Sequence, residues 1–353
     1  MVVQIRASRT FRGTEKYIGD LCRELAVRGY SPAAITLPSG PLVSLVGQMG
    51  MPVFELPIRG DVNPFTPFLI AGALRKCGAE LVNTHGSHGS CLCNLGARLA
   101  GIPSVHTVHG PDNKYAGMPA AHLIAISEHV RQHLIRQGVS QKRISVVRNG
   151  VDVHKFVPQE AAGFRAEMGL SADWFCFSVV AMFEKYKGLS FLLETFRTVA
   201  DKAPNARLLI AGSGPLEADL RLQVERLNLS HFVRFLGFCE DVRPVISASD
   251  CLVLPSECEG LGLVLLEAMA SGRPVIATDS GGPKEIVDEG VTGMIVPVND
   301  IEKMRNAMLY ALRNLDWTRE AGTAAREYVV SERSVEREVD EIEEVYCKVL
   351  KHG

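Results

Sequence analysis

Residues 174–212 read WFCFSVVAMFEKYKGLSFLLETFRTVADKAPNARLLIAG. Two short apolar runs, 174–182 and 206–212, enclose a stretch of different period. After Gly188, Leu189, Leu192, Leu193, Phe196 and Val199 recur at helical spacing, which aims one apolar stripe at a sheet. Strands that are apolar throughout and joined by a helix predict parallel pairing, with both faces of the sheet covered. The alternation continues toward the C-terminus through a helix from Pro215, VRFLG (233–237), DCLVLPS (250–256), a helix from about Gly262, PVIATDS (274–280) and GMIVP (293–297). Toward the N-terminus, strand-like runs fall at 31–37, 52–56, 80–84, 103–108, 122–126 and 144–148, with helical spacing at 15–29 and 87–100.

This pattern predicts an α/β protein with two successive doubly wound, Rossmann-like parallel sheets. A chain of 353 residues exceeds one compact core and fits two domains. They are expected at 1–155 and 156–332, with the polar stretch 155–172 connecting them. A closing helix over 333–353 is expected to pack back on the first domain.

The composition is ordinary for a globular protein, at 46% hydrophobic and 22% charged residues. No uncharged run approaches the length needed to cross a bilayer, and no charged leader with an apolar segment opens the chain. Nine scattered cysteines, with Cys91 and Cys93 one residue apart and no Cys-x-x-Cys, fit a reducing compartment better than a disulfide framework or a zinc site. A cytoplasmic setting is expected. Residues 1–150 hold 16 Lys and Arg against 8 Asp and Glu, a net +8, while the remainder holds 22 against 32, a net −10. Aromatics amount to 7% and do not interleave with the basic residues, which argues against nucleic acid. A phosphate-bearing acceptor or peripheral contact with an anionic membrane at its inner face fits the basic half better; a solvated basic face is the plain alternative.

In open parallel sheets, ligands bind beyond the carboxyl ends of the strands, and with two domains the cleft between them is the expected site. After DCLVLPS comes Glu257-Cys258-Glu259-Gly260-Leu261-Gly262-Leu263, then an apolar helix containing Glu267. Two glycines before a helix start allow close approach to its free N–H groups, an anion site favoured by the helix dipole. Carboxylates beside a phosphate cradle repel the phosphate, but they make sense as acceptors for the hydroxyls of a sugar and a ribose. That is the chemistry of a nucleotide-sugar site. For Glu267, the plain alternative is a solvent-facing helix residue; Glu257 reads as an exposed loop carboxylate.

The segment PSECEGLGLVLLEAMASGRPVIATDSGGPKEIV resembles the signature of the retaining glycosyltransferases of family 4, with the GT-B fold, and its paired E-x7-E glutamates fall on Glu259 and Glu267. The likeness extends through Arg12-Gly13-Thr14-Glu15, Thr107-Val108-His109-Gly110, Ile126-Ser127, Arg148-Asn149-Gly150-Val151-Asp152, Gly212-Ser213-Gly214-Pro215 and Gly281-Gly282-Pro283. The resemblance implies that Glu267 holds the donor ribose and Glu259 the transferred hexose. By the same likeness the diphosphate lies on backbone N–H groups near Gly262 and Leu263, and Gly13, Gly214, Gly260 and Leu261 belong to the donor site. The family's V-G-R-L-x-x-x-K-G pattern corresponds here to residues 180–188, with Lys187 kept and Met182 where the Arg is expected. Lys185 is a neighbouring cation.

His109 follows a strand-like run and by the resemblance lines the cleft, touching donor sugar or acceptor. It joins Lys187 and Glu259 as a catalytic candidate, and with Arg12 as an acceptor-binding candidate; His85 is weaker. Arg6, Arg9 and Arg12 form a basic cluster suited to an acceptor phosphate, or to a solvated face. Ser127 reads as a helix cap. No Asp-x-Asp ends a strand, so no metal or other cofactor is expected. The implied activity is transfer of a hexose or hexose derivative from a nucleoside diphosphate sugar, UDP or GDP foremost, to a hydroxyl of a glycan or lipid-linked acceptor, as in polysaccharide or lipopolysaccharide biosynthesis. Base selection falls near Phe235 to Phe238. A nucleotide-sugar epimerase and a non-catalytic partner of another transferase are the competing functions.

Overall fold

The computed structural model describes residues 1–58, 63–86, 90–111, 119–120 and 122–352. The chain divides into one unit of Met1–Gly150 with Val335–Gly353, and a second of Val151–Ser334.

The first unit begins with β1 (Val2–Arg6), α1 (Gly13–Val27), β2 (Pro32–Thr36), α2 (Pro41–Gly47) and β3 (Val53–Glu55). There follow α3 (Thr66–Cys77), β4 (Leu81–His85), α4 (Ser90–Ala100), β5 (Ser104–Val108), β6 (His122–Ala125), α5 (Glu128–Arg136) and β7 (Ile144–Val146). The strands form a seven-stranded parallel sheet in the order β3-β2-β1-β4-β5-β6-β7. Residues 87–89 of the helical stretch expected at 87–100 lie outside the described residues.

β1, at the centre of this sheet, is absent from the alternation read in the sequence. Gln4 and Arg6 interrupt its apolar run, yet Gln4 is fully buried. The cause is a division of labour between the two faces, since successive strand residues point opposite ways. Val3, Ile5 and Val82 pack under Ile70 and Leu74 of α3 and Cys93 and Ala97 of α4. Gln4, Asn83, His85 and Thr107 face the other way into a polar layer, where Asn83 Nδ2 donates to the Tyr346 hydroxyl at 2.9 Å and the Thr107 hydroxyl donates to Asn83 Oδ1 at 3.0 Å.

The second unit contains α6 (Ala162–Glu167), β8 (Phe175–Val180), α7 (Leu189–Ala200), β9 (Ala206–Ala211), α8 (Glu217–Arg226), β10 (Val233–Gly237) and α9 (Arg243–Ala248). It continues with β11 (Cys251–Leu254), α10 (Leu263–Ala270), β12 (Val275–Thr278), β13 (Gly293–Val296), α11 (Ile301–Arg313) and α12 (Leu315–Glu332). Its parallel sheet runs β10-β9-β8-β11-β12-β13. The stripe expected on α7 is buried: Leu189, Leu192, Leu193, Phe196 and Val199 join Phe177, Leu208, Ile210 and Val253 in one core. The stretch 155–172 is not a bare connector. It contributes Phe156, 1% exposed, and the turns of α6, whose Phe164 packs with Met168, just past the helix, against Leu170, Leu209 and Val245.

The chain then returns to the first unit as α13 (Val335–His352). Arg28 ties it down, donating to Asp340 at 2.5 Å, Glu343 at 2.6 Å and the Glu336 carbonyl at 2.7 Å. With α13 included, the first unit holds 19 basic and 14 acidic residues, a net +5, so its own helix offsets part of the charge counted in 1–150.

Gly188 sets the junction between β8 and α7. Its φ is +68°, and a Cβ there would lie 2.0 Å from the carbonyl oxygen of Pro255. Left-handed strain alone costs about 1–2 kcal/mol, and the clash adds to it. Gly188→Ala is therefore expected to lower the melting temperature by roughly 4–8 °C or more, the shift that about 2 kcal/mol produces in a unit of this size. Differential scanning calorimetry reads it.

Candidate active site

Each sheet reverses its strand order once, between β1 and β4 in the first unit and between β8 and β11 in the second. Ligands of open parallel sheets bind at such switch points, outside the carboxyl ends of the strands. The candidate residues lie there in both units.

In the second unit, the loop after β8 makes a short 3-10 turn over Lys185–Lys187, closed by Gly188. The loop after β11 starts at Pro255 against it, with the Glu257 N–H donating to the Tyr186 carbonyl at 2.7 Å. Across this contact Lys187 Nζ donates to Glu259 Oε1 at 2.5 Å, with side-chain exposures of 16% and 13%. The Ser256 hydroxyl donates to the same oxygen at 3.3 Å. The backbone of Glu259 is fixed from a third loop: its N–H donates to the Ser280 carbonyl and its carbonyl accepts from Gly282 N–H, at 3.0 and 3.1 Å. Gly282 must be glycine, because a Cβ would meet the Gly260 oxygen at 2.2 Å and Leu261 Cα at 2.4 Å.

Three residues beyond Glu259 the backbone turns through Gly262, at φ +95°, and α10 begins at Leu263 without a side-chain cap. The first N–H groups of the helix thus have no cap from their own N-terminal residue. Glu267 is not the solvent-facing residue of the plain alternative: it is 7% exposed. The loop after β9 leans on the same region. A Cβ at Gly214 would approach the Phe183 backbone at 2.8 Å, and Phe183 exchanges backbone hydrogen bonds with Ser213 and Leu216. Met182, where the resemblance expects Arg, is partly exposed beside buried Phe183, and Lys185 is exposed. A further cation on the neighbouring loop, Lys284, pairs with Asp279 at 2.5 Å. Phe235 meets the Phe183 ring edge-on at 6.1 Å and lies under Arg221 at 4.5 Å, while Phe238 is exposed.

In the first unit, Arg6 ends β1 and His85 ends β4. Arg6 does not contribute a free charge to a cluster with Arg9 and Arg12. Its Nε donates to buried Glu15 at 2.8 Å and its Nη1 to the His85 carbonyl at 3.4 Å. Glu15 also accepts the Arg12 N–H at 2.9 Å, which caps α1 from its third position. Arg9 and Arg12 are exposed, as is Gly13 at the start of α1.

His109 is partly exposed, and its Nε2 lies 3.1 Å from His85 Nδ1. His85 Nε2 in turn faces Gln4 Oε1 at 2.8 Å. An amide oxygen only accepts, so His85 carries its proton on Nε2, its Nδ1 accepts, and the His109 proton sits on Nε2. This leaves His109 Nδ1 with its lone pair. Burial, helped by Arg6, pushes the pKa of His109 down to about 3 and that of His85 well below its ordinary value, so both rings are neutral near pH 7. Tyr17 packs edge-on against both imidazoles, at 4.8 and 5.8 Å, and its hydroxyl donates to Glu338 of α13. Glu338 also accepts the Gly150 N–H at 2.8 Å, and burial pushes its pKa up to about 8. Ser127 caps α5, its hydroxyl accepting from Val130 N–H at 3.1 Å. The sequence reading missed the roles of Glu15, Gln4, Tyr17 and Glu338; Gln4, Tyr17 and Glu338 lie far in sequence from the partners that explain them, whereas Glu15 lies nine residues from Arg6.

The chain matches two family models. Residues 11–155 match Glycosyltransferase Family 4, and residues 164–328 match Glycosyl transferases group 1. It is 29% identical over 304 residues to the UDP-Gal:alpha-D-GlcNAc-diphosphoundecaprenol alpha-1,3-galactosyltransferase of Escherichia coli, covering 78% of this chain and 77% of that protein. It is 30% identical over 267 residues to the putative glycosyltransferase EpsF of Bacillus subtilis (strain 168), covering 69% and 68%. Among solved structures, a glycosyltransferase from Rickettsia africae ESF-5 superposes with a TM-score of 0.89 at 21% identity, over 100% of this chain and 99% of that one. The Anabaena protein Alr3699/HepE, crystallised with UDP and glucose, gives 0.88 at 20% identity, over 98% and 99%. With both units matched in order and the fold shared end to end, the chain belongs to the family 4 glycosyltransferases of GT-B fold.

Proposed function

We propose that this glycosyltransferase is a retaining hexosyltransferase that uses a nucleoside diphosphate sugar, UDP foremost, works without a resident metal, and glycosylates a hydroxyl of a glycan or lipid-linked acceptor. The observation that carries this reading is the Lys187–Glu259 pair at the switch point, directly before the glycine-opened start of α10. A cation, a carboxylate and a helix start without a side-chain cap, brought together at one switch point, suit a ligand with a diphosphate and neighbouring hydroxyls. The names of two relatives support the choice of donor and acceptor, one a UDP-Gal transferase acting on a diphosphoundecaprenol and one crystallised with UDP-glucose.

In this reading Glu267 accepts hydrogen bonds from the ribose and Glu259 from the hexose, while the N–H groups at Gly262 and Leu263 and the Lys187 ammonium receive the diphosphate. Gly13, Gly214, Gly260 and Leu261 keep the backbone close to the donor. Developing charge on the leaving diphosphate is met by Lys187, the group already oriented by Glu259. The acceptor oxygen attacks from the face the diphosphate leaves, the anomeric carbon–oxygen bond breaks, and the acceptor proton passes to the departing phosphate. His109, neutral with its Nδ1 lone pair available, accepts from a hydroxyl of donor or acceptor, and Arg12 contributes a positive charge on the acceptor side. A lipid-linked acceptor implies work at the inner face of a membrane, with peripheral contact through the first unit.

Glu267→Ala is expected to weaken UDP-sugar binding by about 10–150-fold, the loss of one charge-assisted hydrogen bond of ~1.5–3 kcal/mol, measured by calorimetry. Nucleotide affinity equal to wild type would remove Glu267 from the ribose site. Met182→Arg restores the cation that the family pattern places there and is expected to raise kcat up to roughly tenfold in a coupled assay of nucleotide release. Exhaustive chelation with EDTA should leave turnover within about twofold, whereas a metal-held diphosphate would lose most of its rate.

A further inference from the structure

Three neighbouring strands of the first sheet set Gln4, His85 and His109 on one diagonal. Gln4 on β1 stands opposite Asn83 on β4, and His85 is two residues farther along β4. His85 stands opposite Thr107 on β5, and His109 is two residues beyond Thr107, just past the strand. Residues two apart on a strand share a face of the sheet. Each step therefore crosses one strand and gains two residues toward the carboxyl edge. The line starts at a fully buried amide, passes His85 at 1% exposure, and ends at a partly exposed imidazole.

This line has a direction. The His85 Nε2–H donates to Gln4 Oε1 at 2.8 Å, and the His109 Nε2–H donates to His85 Nδ1 at 3.1 Å. The single proton of neutral His109 is thus used toward the interior, and its Nδ1 can only accept. A second proton is opposed by burial and by the charge of Arg6, which reaches the His85 carbonyl at 3.4 Å. Tyr17 packs edge-on against both rings, at 4.8 and 5.8 Å. A neutral acceptor suits a hydroxyl, which has a hydrogen to give. A carboxylate or phosphate oxygen brings only lone pairs and meets neither an N–H nor a positive ring there. Of the ligands in the reaction proposed above, the transferred hexose is rich in hydroxyls and uncharged, whereas a lipid-linked acceptor carries phosphate.

We propose that Gln4 and His85 are positioning residues for the transfer reaction, holding His109 through two hydrogen bonds in the one tautomer that accepts from a hydroxyl of the transferred sugar and refuses an acidic group at that point. The proposal rests on the reading that His109 meets a ligand hydroxyl. The place of the proton, however, belongs to the free protein and is measured without any ligand.

The test is NMR of the histidine rings in the 15N-labelled full chain. In the wild type, His85 and His109 should each carry their proton on Nε2 with Nδ1 bare; a proton on His109 Nδ1 would overturn the proposal. Gln4→Met keeps the size of the side chain and removes the acceptor. His85 can then move its proton to Nδ1 and donate to His109 Nε2, so a population protonated on Nδ1 should appear at His109. Gln4→Glu supplies a carboxylate that accepts as the amide does and should keep the wild-type pattern. For UDP release from UDP-glucose without acceptor, kcat should fall roughly two- to tenfold in Gln4→Met, the worth of one hydrogen bond between neutral groups, and recover in Gln4→Glu. A purely structural Gln4 would tolerate buried Met better than buried Glu, so that order of activities would overturn the proposal. Should Gln4→Met fail to fold, the wild type still decides. UDP-glucose should shift the His109 Nδ1 resonance without protonating it and UDP alone should not, whereas an equal response to both, or none to either, counts against the proposal. Calorimetric affinity for UDP, assigned above to the second unit, should be the same in wild type and Gln4→Met. Absence of UDP binding in both would sink that donor-site reading and leave the ring tautomers to decide this one.

Discussion

The second unit is organised around a contact between backbones at the point where its strand order reverses. Gly188 and Pro255 approach so closely that no side chain fits between them, and this brings Lys187 onto Glu259 although they stand 72 residues apart. The ion pair is partly buried, a setting in which charges interact more strongly than on an open surface but lose hydration. Glu259 has the Lys187 ammonium and the Ser256 hydroxyl on its carboxylate, and two backbone hydrogen bonds fix its main chain. The loops after β8, β11 and β12 therefore cannot shift independently. A donor arriving there meets groups already in place, which is how a site avoids spending binding energy on its own reorganisation.

The first unit solves a different problem. One face of its sheet is apolar under α3 and α4, and the other is a buried polar layer under α1 and α13. Buried polar groups cost free energy unless they find partners. The layer answers that cost by pairing Gln4 with His85, His85 with His109, Asn83 with Tyr346 and Thr107, and Tyr17 with Glu338. The result is an imidazole at the carboxyl end of β5 with a defined proton position, held by an element near the far end of the chain.

Which parts of this were legible in the sequence follows from the range of the interactions. The parallel sheets could be read because most strands declare themselves by a local apolar run, and α7 by the helical spacing of its five apolar residues. Glu259, Glu267 and Lys187 were legible through a motif, whose spacing is also local. β1 was not, because its inward residues on one face are polar and their partners lie about eighty residues away on β4 or beyond three hundred on α13. Arg6 misled for a different reason: as a letter it is a free cation, and although Glu15 is only nine residues away, the turn from β1 into α1 that sets them together is not written in their spacing. The stretch 155–172 looked like a linker because it is polar on average, yet Phe156, Phe164 and Met168 are enough to pin it.

The return of α13 to the first unit carries a consequence for biosynthesis. On the ribosome, β1 to β7 emerge first, but the buried layer over Asn83 and Gln4 stays open until Tyr346 and Glu338 have been translated. The second unit, continuous from Val151 to Ser334, can complete its core sooner. The domain made first is therefore finished last, and a premature stop or proteolytic nick removing the final eighteen or so residues would unroof the N-terminal half, leaving the later-made half whole.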